Sequence, residues 1–271
     1  MSVLVSFLVV TRSNIAYSRF MQARSELNSA MEACRELVQH AVTFSRYESS
    51  AQATQWRAEV ARRTVVLLRT SVTVLEYDSK GMDAWKVPEL TKDEKQALLT
   101  SVGKSNERTP LVLALFLRST IASHKEYLSA PLAVNKELLI LKNVSEFVSV
   151  RTTTCALWYL VYVSYCASDI HHKAYHGLMK LISAPFPFPL VQMTRTFLFV
   201  WVFTLPFALV ADIEKLPALV LLMFFITYGF IGLERVSIEL DDPFGDDPND
   251  FDVLGLAQVV FEDICISIYD I

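Results

Sequence analysis

The sequence predicts an all-α membrane protein in which transmembrane helices accompany a large helical region outside the membrane. Residues 188–211 carry a single charge, at Arg195, and residues 216–233 carry none. Roughly 20 helical residues cross about 30 Å of hydrocarbon, so the first stretch is long enough to span a membrane and the second is close to that length. The 271 residues are 52% apolar and include only 7 glycines, a composition that favours helices over a loop-rich or all-β chain.

The N-terminal segment 1–11 is predicted to be the end of a membrane helix that begins before Met1. The sequence MSVLVSFLVV is apolar but too short to span a bilayer alone, and it lacks the basic start and cleavage site of a signal peptide. Residues 3–47 contain no proline and no glycine, so the helix is expected to continue to about residue 47. The alternative is the buried start of a soluble helix.

Residues 12–185 are predicted to form a helical cytosolic or stromal region. Apolar residues at helical spacing predict a helix over 54–78. The sequence TKDE at Thr91 has the pattern of a capping box and is expected to open the next helix. Two more helices are expected over 110–129 and 132–148.

Residues 149–172 differ from their surroundings. They are β-branched and aromatic, whereas the flanking residues are rich in Glu, Lys and Leu. This segment is interpreted as an insertion, and a translated retained intron is one hypothesis for its origin.

Residues 186–235 are predicted to form a transmembrane helical hairpin closed by the sequence DIEK. Pro206 is expected to kink the first helix, which neighbouring helices in a bundle can tolerate. The loop carries two acids and one base, whereas Lys173, Lys180 and Arg235 lie beyond the two spans. This distribution places both ends of the hairpin on the cytoplasmic-type side. The alternative is a pair of buried helices in a soluble core.

The final segment, 236–271, begins with the sequence ELDDPFGDDPNDFD, which has six aspartates between Asp241 and Asp252. Three interpretations are open. The run can be a solvated linker, or an EF-hand, although the D-x-[DN]-x-[DN]-G spacing is absent. It can also be a turn-rich clasp, because its proline and glycine residues fold the chain back and bring the carboxylates together. Crowded carboxylates repel each other unless a cation or backbone N–H groups compensate.

The composition excludes several function classes. A net charge of −4 gives no reason to expect nucleic acid as a partner. The four cysteines form no metal-like pair, and His171, His172 and His176 are interpreted as solvated side chains because a metal site needs further ligands. No arrangement of nucleophile, base and acid stands out, so the sequence does not predict an enzyme.

Three stretches of the sequence resemble the bestrophin family of anion channels, in particular its plant, algal and bacterial branch. They are LVVTRSNIAYSRFMQAR, PFPFPLVQMTRTFLFVWVFTLPFAL and GFIGLERVSIELDDPFGDDPNDFD, at 8–24, 185–209 and 229–252. They are similar to the end of the second membrane helix, the third membrane helix, and the fourth helix with its acidic loop. The resemblance covers roughly residues 1–148 and 173–262.

The resemblance implies a homo-pentamer of helical subunits around a central pore, with four membrane helices in each subunit. The second membrane helix lines a hydrophobic neck, in which Leu4 matches the last position. The earlier neck positions and the first membrane helix would precede Met1. Leu132 is implied as a second constriction in the cytosolic part.

The resemblance also implies a calcium clasp in the acidic run. Asp247 and Asp250 match its carboxylates, and Glu239 and Asp242 match positions that supply backbone carbonyls. The remaining ligand comes from an N-terminal segment that this sequence does not contain. Members of the plant and bacterial branch need not be calcium-gated, so no cofactor is required and calcium is an optional ligand.

The expected function is a passive channel for chloride, or for a similar anion such as bicarbonate, in a lipid membrane. The expected location is the thylakoid or another chloroplast membrane for a plant or algal protein, and the plasma membrane otherwise. The competing function is a non-conducting, membrane-anchored helical fragment or scaffold.

Overall fold

The computed structural model describes residues 2–77, 81–103, 105–148, 174–183, 188–211, 213, 215–245 and 247–269. The predicted insertion at 149–172 and the proline-rich residues 184–187 lie outside this part of the chain. The described residues are predominantly helical and contain no strand, which confirms the predicted all-α class.

The helices that the sequence predicts lie close to their expected positions. The predicted helix at 110–129 is divided in two at Ser123, and a short 3-10 helix, η1, lies in the predicted loop. In chain order the elements are α1 (Ser2–Phe44), α2 (Ala51–Leu75), η1 (Ala84–Lys86), α3 (Lys92–Val102), α4 (Thr109–Ala122), α5 (His124–Tyr127), α6 (Val134–Val148), α7 (Ala174–Ser183), α8 (Phe188–Leu209), α9 (Leu216–Glu239) and α10 (Val253–Tyr269).

The chain divides into two compact units. The first comprises Met1–Arg24 and Leu181–Phe251, and the second comprises Ser25–Lys180 and Asp252–Ile271. This division follows the contacts within the chain. The sequence-based limits rest instead on the solvent expected around each segment, and they remain a prediction: 1–11, 12–185, 186–235 and 236–271.

In the first unit, α8 and α9 expose most of their apolar surface. Both helices are long and apolar enough to cross a membrane, and only 17% and 6% of their apolar windows are buried within the chain. Core helices of a soluble protein would be covered by their own chain, because large exposed apolar patches are rare in soluble monomers. The exposed surface of α8 and α9 is therefore suited to lipid or to other helices.

A small apolar cluster joins α1 to this helical pair. Val5 and Val9 of α1 pack against Leu198 and Trp201 of α8, and partly buried residues of α8 and α9 surround them. Trp201 meets the edge of Phe230 of α9 at a ring-centroid distance of 4.7 Å. The cluster shows which side of the N-terminal part of α1 is turned inward.

The second unit is a bundle with its core around α2. Ser50 caps α2 by accepting a hydrogen bond from the backbone N–H of Ala53. The helix packs against α4 and α10, and α4 packs against α6. The fully buried Trp56 donates from Nε1 to the carbonyl oxygen of Thr120 at 2.8 Å, so its single polar atom is satisfied inside the core.

Helix α10 is a finding that the sequence-based description of 236–271 as a clasp and C-terminal segment does not contain. Asp252 precedes the helix and accepts a hydrogen bond from the backbone N–H of Gly255 at 2.8 Å, as an N-cap residue does. Arg35 of α1 pairs with Asp263 of α10 at 2.7 Å.

The predicted capping box at the start of α3 is confirmed. Glu94 donates its backbone N–H to Thr91 Oγ1 at 3.2 Å, and the Thr91 N–H is donated to Glu94 Oε2 at 3.0 Å. Glu94 also pairs with Arg62 of α2 at 2.7 Å. The Glu94 carboxylate therefore caps the start of α3 and links α3 to α2.

We predict that Glu94→Ala destabilises the protein more than Thr91→Ala does. Loss of the threonine cap costs about 1 kcal/mol, whereas loss of Glu94 removes its half of the capping box and the pairing with Arg62. Thermal unfolding in detergent should give a lower Tm for Glu94→Ala. Glu94→Gln is the matched control, because glutamine completes a capping box without charge. Equal Tm values for the two alanine variants would contradict the prediction.

Candidate functional site

The N-terminal part of α1 has two different faces. Its buried residues, Val5, Val9, Arg12 and Ala16, recur at helical spacing. The exposed residues lie on the opposite side, and Val3, Phe7 and Val10 are 82%, 67% and 51% exposed. An apolar face that no other described helix covers is unfavourable in water and requires a partner, a lipid or a pore lumen.

Leu4, the predicted neck residue, borders this exposed face and is 48% exposed. The side chain is therefore accessible, as a pore-lining residue must be. Further along the same face the chain becomes polar at Asn14 and amphipathic at Tyr17, both of which are exposed.

Charged side chains from α1, α8 and α9 contact one another about one helical turn away from the apolar cluster. Arg12 of α1 donates from a terminal nitrogen to Glu234 Oε1 of α9. Arg195 of α8 donates from Nε to the same oxygen at 3.0 Å. Arg12 and Glu234 are buried, whereas the Arg195 side chain is 42% exposed. We call Arg12, Arg195 and Glu234 the charge layer.

Two further contacts continue this layer towards the end of α9. The hydroxyl groups of Ser13 and Ser237 lie 2.8 Å apart. Arg19 donates to the carbonyl oxygen of Leu181 at 2.9 Å and lies 3.8 Å from Asp241. Arg19 therefore joins α1 to the last turn of α7 and to the segment that follows α9.

The segment after α9, residues 240–251, is called the acidic loop. It is closed by a hydrogen bond from the Phe251 N–H to the carbonyl oxygen of Pro243 at 3.0 Å. Phe244 is buried, and the ring of Phe251 lies 4.5 Å from that of Phe20 in α1. The acidic run is therefore a folded loop held by aromatic contacts, and the interpretation as a solvated linker is wrong.

The aspartates of the acidic loop turn back onto its own backbone. The Asp247 N–H is donated to Asp250 Oδ2 at 2.7 Å. A Cβ atom at Gly245 would lie 2.8 Å from that oxygen and 3.4 Å from Asp242 Oδ2. Two carboxylates thus converge on the Cα of a glycine, where a side chain would displace one of them.

The position of Asp250 in this loop changes the pKa of its carboxyl group. Burial raises the pKa of Asp250 above its ordinary value. The Asp247 N–H lowers the pKa again, and the charges of Asp247, Asp242 and Glu239 raise it. The other three predicted clasp residues therefore lie close enough to Asp250 for their charges to act on its carboxyl group.

The described side chains do not form a complete calcium site. Calcium takes six to eight oxygen ligands, whereas no group of three or more His, Cys, Asp or Glu residues in the described part of the chain is arranged to hold a metal ion. Asp242 and Asp250 converge, and Asp250 Oδ1 is buried without a described partner. A cation held here would need further oxygens from water, from backbone carbonyls or from another segment.

Leu132, the predicted second constriction, is buried in the second unit. It lines a cavity of about 440 Å³ together with the end of α1 and the loops before α2 and after α5, among them Phe44, Tyr47 and Glu48. The Glu48 carboxylate accepts a hydrogen bond from the Ser129 N–H at 2.8 Å and so fixes the wall of this cavity. The role of Leu132 remains a prediction.

The histidine cluster lies mostly outside the described residues. His171 and His172 are not described, and His176 is exposed beside the ring of Tyr175. The interpretation of these side chains as solvated agrees with the position of His176.

The role of Glu234 is absent from the sequence-based predictions, which name only Arg195, as the single charge of residues 188–211. Ionisable residues inside membrane segments are rare and usually pair with one another. Arg195 lies within the apolar stretch 188–211, and Glu234 directly follows the apolar stretch 216–233. These two positions were the signal that could have identified the pairing of Arg195 with Glu234. The sequence does not show that Arg12, 222 positions away from Glu234, completes it.

Comparison with known proteins places the chain in a family. The family model described as Bacterial/Fungal Bestrophin protein matches residues 1–152 and 168–265. The unmatched residues between these two regions fall inside the predicted insertion at 149–172.

Similar proteins occur in several bacteria. A voltage-dependent anion channel-forming protein of Synechocystis, sll1024, is 21% identical over 263 residues, which cover 96% of this chain and 73% of that protein. The YneE proteins of Salmonella typhi and Escherichia coli K12, of the same description, are 28% identical over 88 residues. Those residues span 32% of this chain and 28% of the length of these relatives.

Solved structures share the fold. Two crystal structures of point mutants of a bacterial Bestrophin homolog from Klebsiella pneumoniae superpose with TM-scores of 0.74 and 0.72 at 18% sequence identity. Each match covers 98% of this chain and 85% or 84% of the solved chain.

We predict that Asp250→Asn stabilises the protein by a few tenths of a kcal/mol at neutral pH in the presence of a chelator. Because the folded pKa of Asp250 lies above the ordinary value, ionisation of Asp250 opposes folding. This cost is absent below the unfolded pKa and is added as the pH rises through the folded pKa. Asparagine keeps an oxygen for the Asp247 N–H and removes the charge.

Thermal unfolding in detergent with EDTA, at neutral pH and near pH 4, measures this effect. The advantage of Asp250→Asn over the wild type should shrink on acidification. Glu126→Gln, at an exposed glutamate, is the control for the loss of one carboxylate. An advantage that grows on acidification would contradict the assigned direction of the pKa.

Proposed function

Because the chain belongs to the bacterial/fungal bestrophin family, we propose that it forms a passive anion channel in a lipid membrane. The observation that carries this proposal is the exposed apolar face of α1, with Val3, Phe7 and Val10 opposite the buried stripe. The YneE and sll1024 relatives are described as voltage-dependent anion channel-forming proteins, which supports the same activity. The proposal assigns no catalytic residue.

The apolar face of α1 is proposed to line a hydrophobic neck, with Leu4 as one of its residues. An apolar constriction admits an ion only after the ion has lost part of its hydration shell, and it can close by dewetting. Large, weakly hydrated anions lose less on partial dehydration than small ones. The neck should therefore favour iodide-like ions over chloride, the proposed physiological ion, with bicarbonate as a further candidate.

The channel is proposed to be a homo-oligomer, specifically a pentamer. One helix presents a single face and cannot surround a pore, so several copies must contribute α1 to a common axis. Closed rings of identical subunits are a usual form of soluble and membrane assemblies. The exposed apolar surface of each copy would be covered by its neighbours and by lipid.

Selectivity for anions over cations is proposed to come from fixed positive potential near the neck. The two guanidinium groups of the charge layer exceed its one carboxylate, so Arg12, Arg195 and Glu234 carry a net charge of about +1. Helix N-termini directed at the pore would add partial positive charge.

The second constriction of the pore is proposed at Leu132. Its support is an apolar side chain that follows Pro131 and lines the cavity next to Tyr47 and Glu48.

The acidic loop is proposed to be an incomplete cation clasp, with Asp247 and Asp250 as carboxylates and Glu239 and Asp242 as neighbours. Its support is the mutual repulsion of these groups, which a calcium ion would relieve. Conduction itself needs no cofactor. Repeating the Asp250→Asn comparison with calcium in place of EDTA tests the clasp, because calcium should then raise the Tm of the wild type alone.

The channel is proposed to cross the membrane several times, with both ends of the α8–α9 hairpin on the cytoplasmic or stromal side. In a plant or alga we propose the thylakoid or another chloroplast membrane as its location, and in other organisms the plasma membrane. The two apolar helices support membrane insertion.

We predict that the purified protein in liposomes conducts monovalent anions and excludes potassium. Chloride efflux and iodide influx, followed with an anion-quenched dye, should exceed those of protein-free vesicles, and iodide should pass faster than chloride. Native mass spectrometry of the same preparation should give about five times the chain mass of 30.7 kDa.

Two results would contradict this proposal. Cation flux without anion flux would reject anion selectivity. A monomer that conducts no ions in membranes would favour the alternative function of a membrane-anchored scaffold.

We also predict that Leu4→Ser weakens the preference for iodide over chloride by about two- to fivefold, because a hydroxyl group hydrates the neck and lowers the dehydration cost. The ratio of the two fluxes in liposomes measures the effect. Leu99→Ser, at a 39% exposed leucine of α3, is the matched control and should leave the ratio unchanged. The same shift in both variants would remove Leu4 from the neck.

A further inference from the structure

We propose that Glu234 is a positioning residue that fixes the rotation of α1 about its own axis and so keeps the apolar face of α1 turned to the pore. This inference rests on the proposed channel function, and it adds a specific residue that controls the geometry of the neck. Its basis is the contact of one buried carboxylate with arginines from two other helices.

The first step concerns the apolar residues of α1. At the N-terminal end of the helix, the buried Val5 and Val9 and the exposed Val3, Phe7 and Val10 are all apolar. Burial of apolar area is non-directional, so exchanging one set for the other changes the free energy little. Hydrophobic packing alone therefore does not determine which face of this segment is turned inward.

The second step concerns Arg12, which does distinguish the two faces. It lies on the buried face at 3% exposure, next to Glu234 at 7% exposure. A buried guanidinium without a nearby carboxylate is strongly disfavoured in an apolar environment. The pairing with Glu234 makes the observed rotation of α1 favourable for Arg12.

The third step is the difference between the two arginines. Arg195 is partly exposed at 42% of its side chain, so solvent or lipid headgroups can replace Glu234 as its partner. Arg12 is only 3% exposed, so neither solvent nor lipid headgroups reach its guanidinium group. Removal of the Glu234 charge should therefore act mainly on α1, and rotation of α1 towards the exposed side is the simplest way to solvate Arg12.

The experiment measures this rotation directly by thiol labelling in the full-length protein. Val10→Cys is on the exposed face and Val9→Cys is on the buried face, and peptide mass spectrometry separates both from the native cysteines. With Glu234 present, Cys at position 10 should react faster. With Glu234→Gln, the ratio of the two rates should fall by about tenfold, the change produced by 1.4 kcal/mol.

Ion flux provides the second readout. Anion flux per folded oligomer should fall by about tenfold in Glu234→Gln, and the preference for iodide over chloride should change with it. The double variant Arg12→Met with Glu234→Gln removes both buried charges and should restore the flux to within about threefold of the wild type. Glu89→Gln, at an exposed ion pair with Arg69, is the control and should leave flux and labelling unchanged.

The outcomes separate this inference from the proposed function. Unchanged labelling and flux per folded oligomer in Glu234→Gln would overturn the positioning role, as would a double variant that folds but does not recover. If Glu234→Gln does not fold, a conducting double variant supports the role, and a double variant that is also unfolded overturns it. Absence of anion flux in the wild type would reject the channel, whereas a changed labelling ratio would still show the positioning role.

Discussion

A buried carboxylate shared by two guanidinium groups is the interaction on which the first unit depends. The helices around Glu234 are apolar over most of their length, and apolar surfaces can slide or rotate against each other at small cost. Charged side chains cannot shift in this way at small cost, because an ionised group inside such a bundle needs a partner at hydrogen-bond distance. Glu234 therefore brings together the sides of α1 and α8 that carry Arg12 and Arg195, and the apolar cluster around Trp201 packs between the same helices.

The acidic loop differs from the contacts around Glu234, because it brings charges of one sign together. Its aromatic side chains, Phe244 and Phe251, hold the backbone in place, and Gly245 leaves room for the carboxylate of Asp250. The raised pKa of Asp250 reflects burial and unrelieved repulsion. A loop folded in this way gains stability from a proton on Asp250, and the proposed cation would act in the same direction.

Local patterns predicted most helices but not the partners of their charged residues. Length and composition identified α8 and α9, and the capping box located the start of α3, because these signals lie within one segment. Helix α10 was not predicted, because the residue that caps it, Asp252, is also the last aspartate of the acidic run, and the sequence alone does not distinguish these two roles. The partner of Arg12 could not be predicted, because no local rule selects Glu234 from the other acids of a chain in which the two residues are 222 positions apart.

The charge layer also connects stability with the proposed conduction of anions. An apolar neck discriminates by hydration and does not by itself distinguish anions from cations. The Glu234 carboxylate contacts both the enclosed Arg12 and the partly exposed Arg195, so this contact group carries one positive charge in excess. Full neutralisation by a second carboxylate would secure α1 equally well but would remove this potential. In the proposed channel, two guanidinium groups in contact with one carboxylate would serve both requirements, a fixed helix and an environment that favours anions.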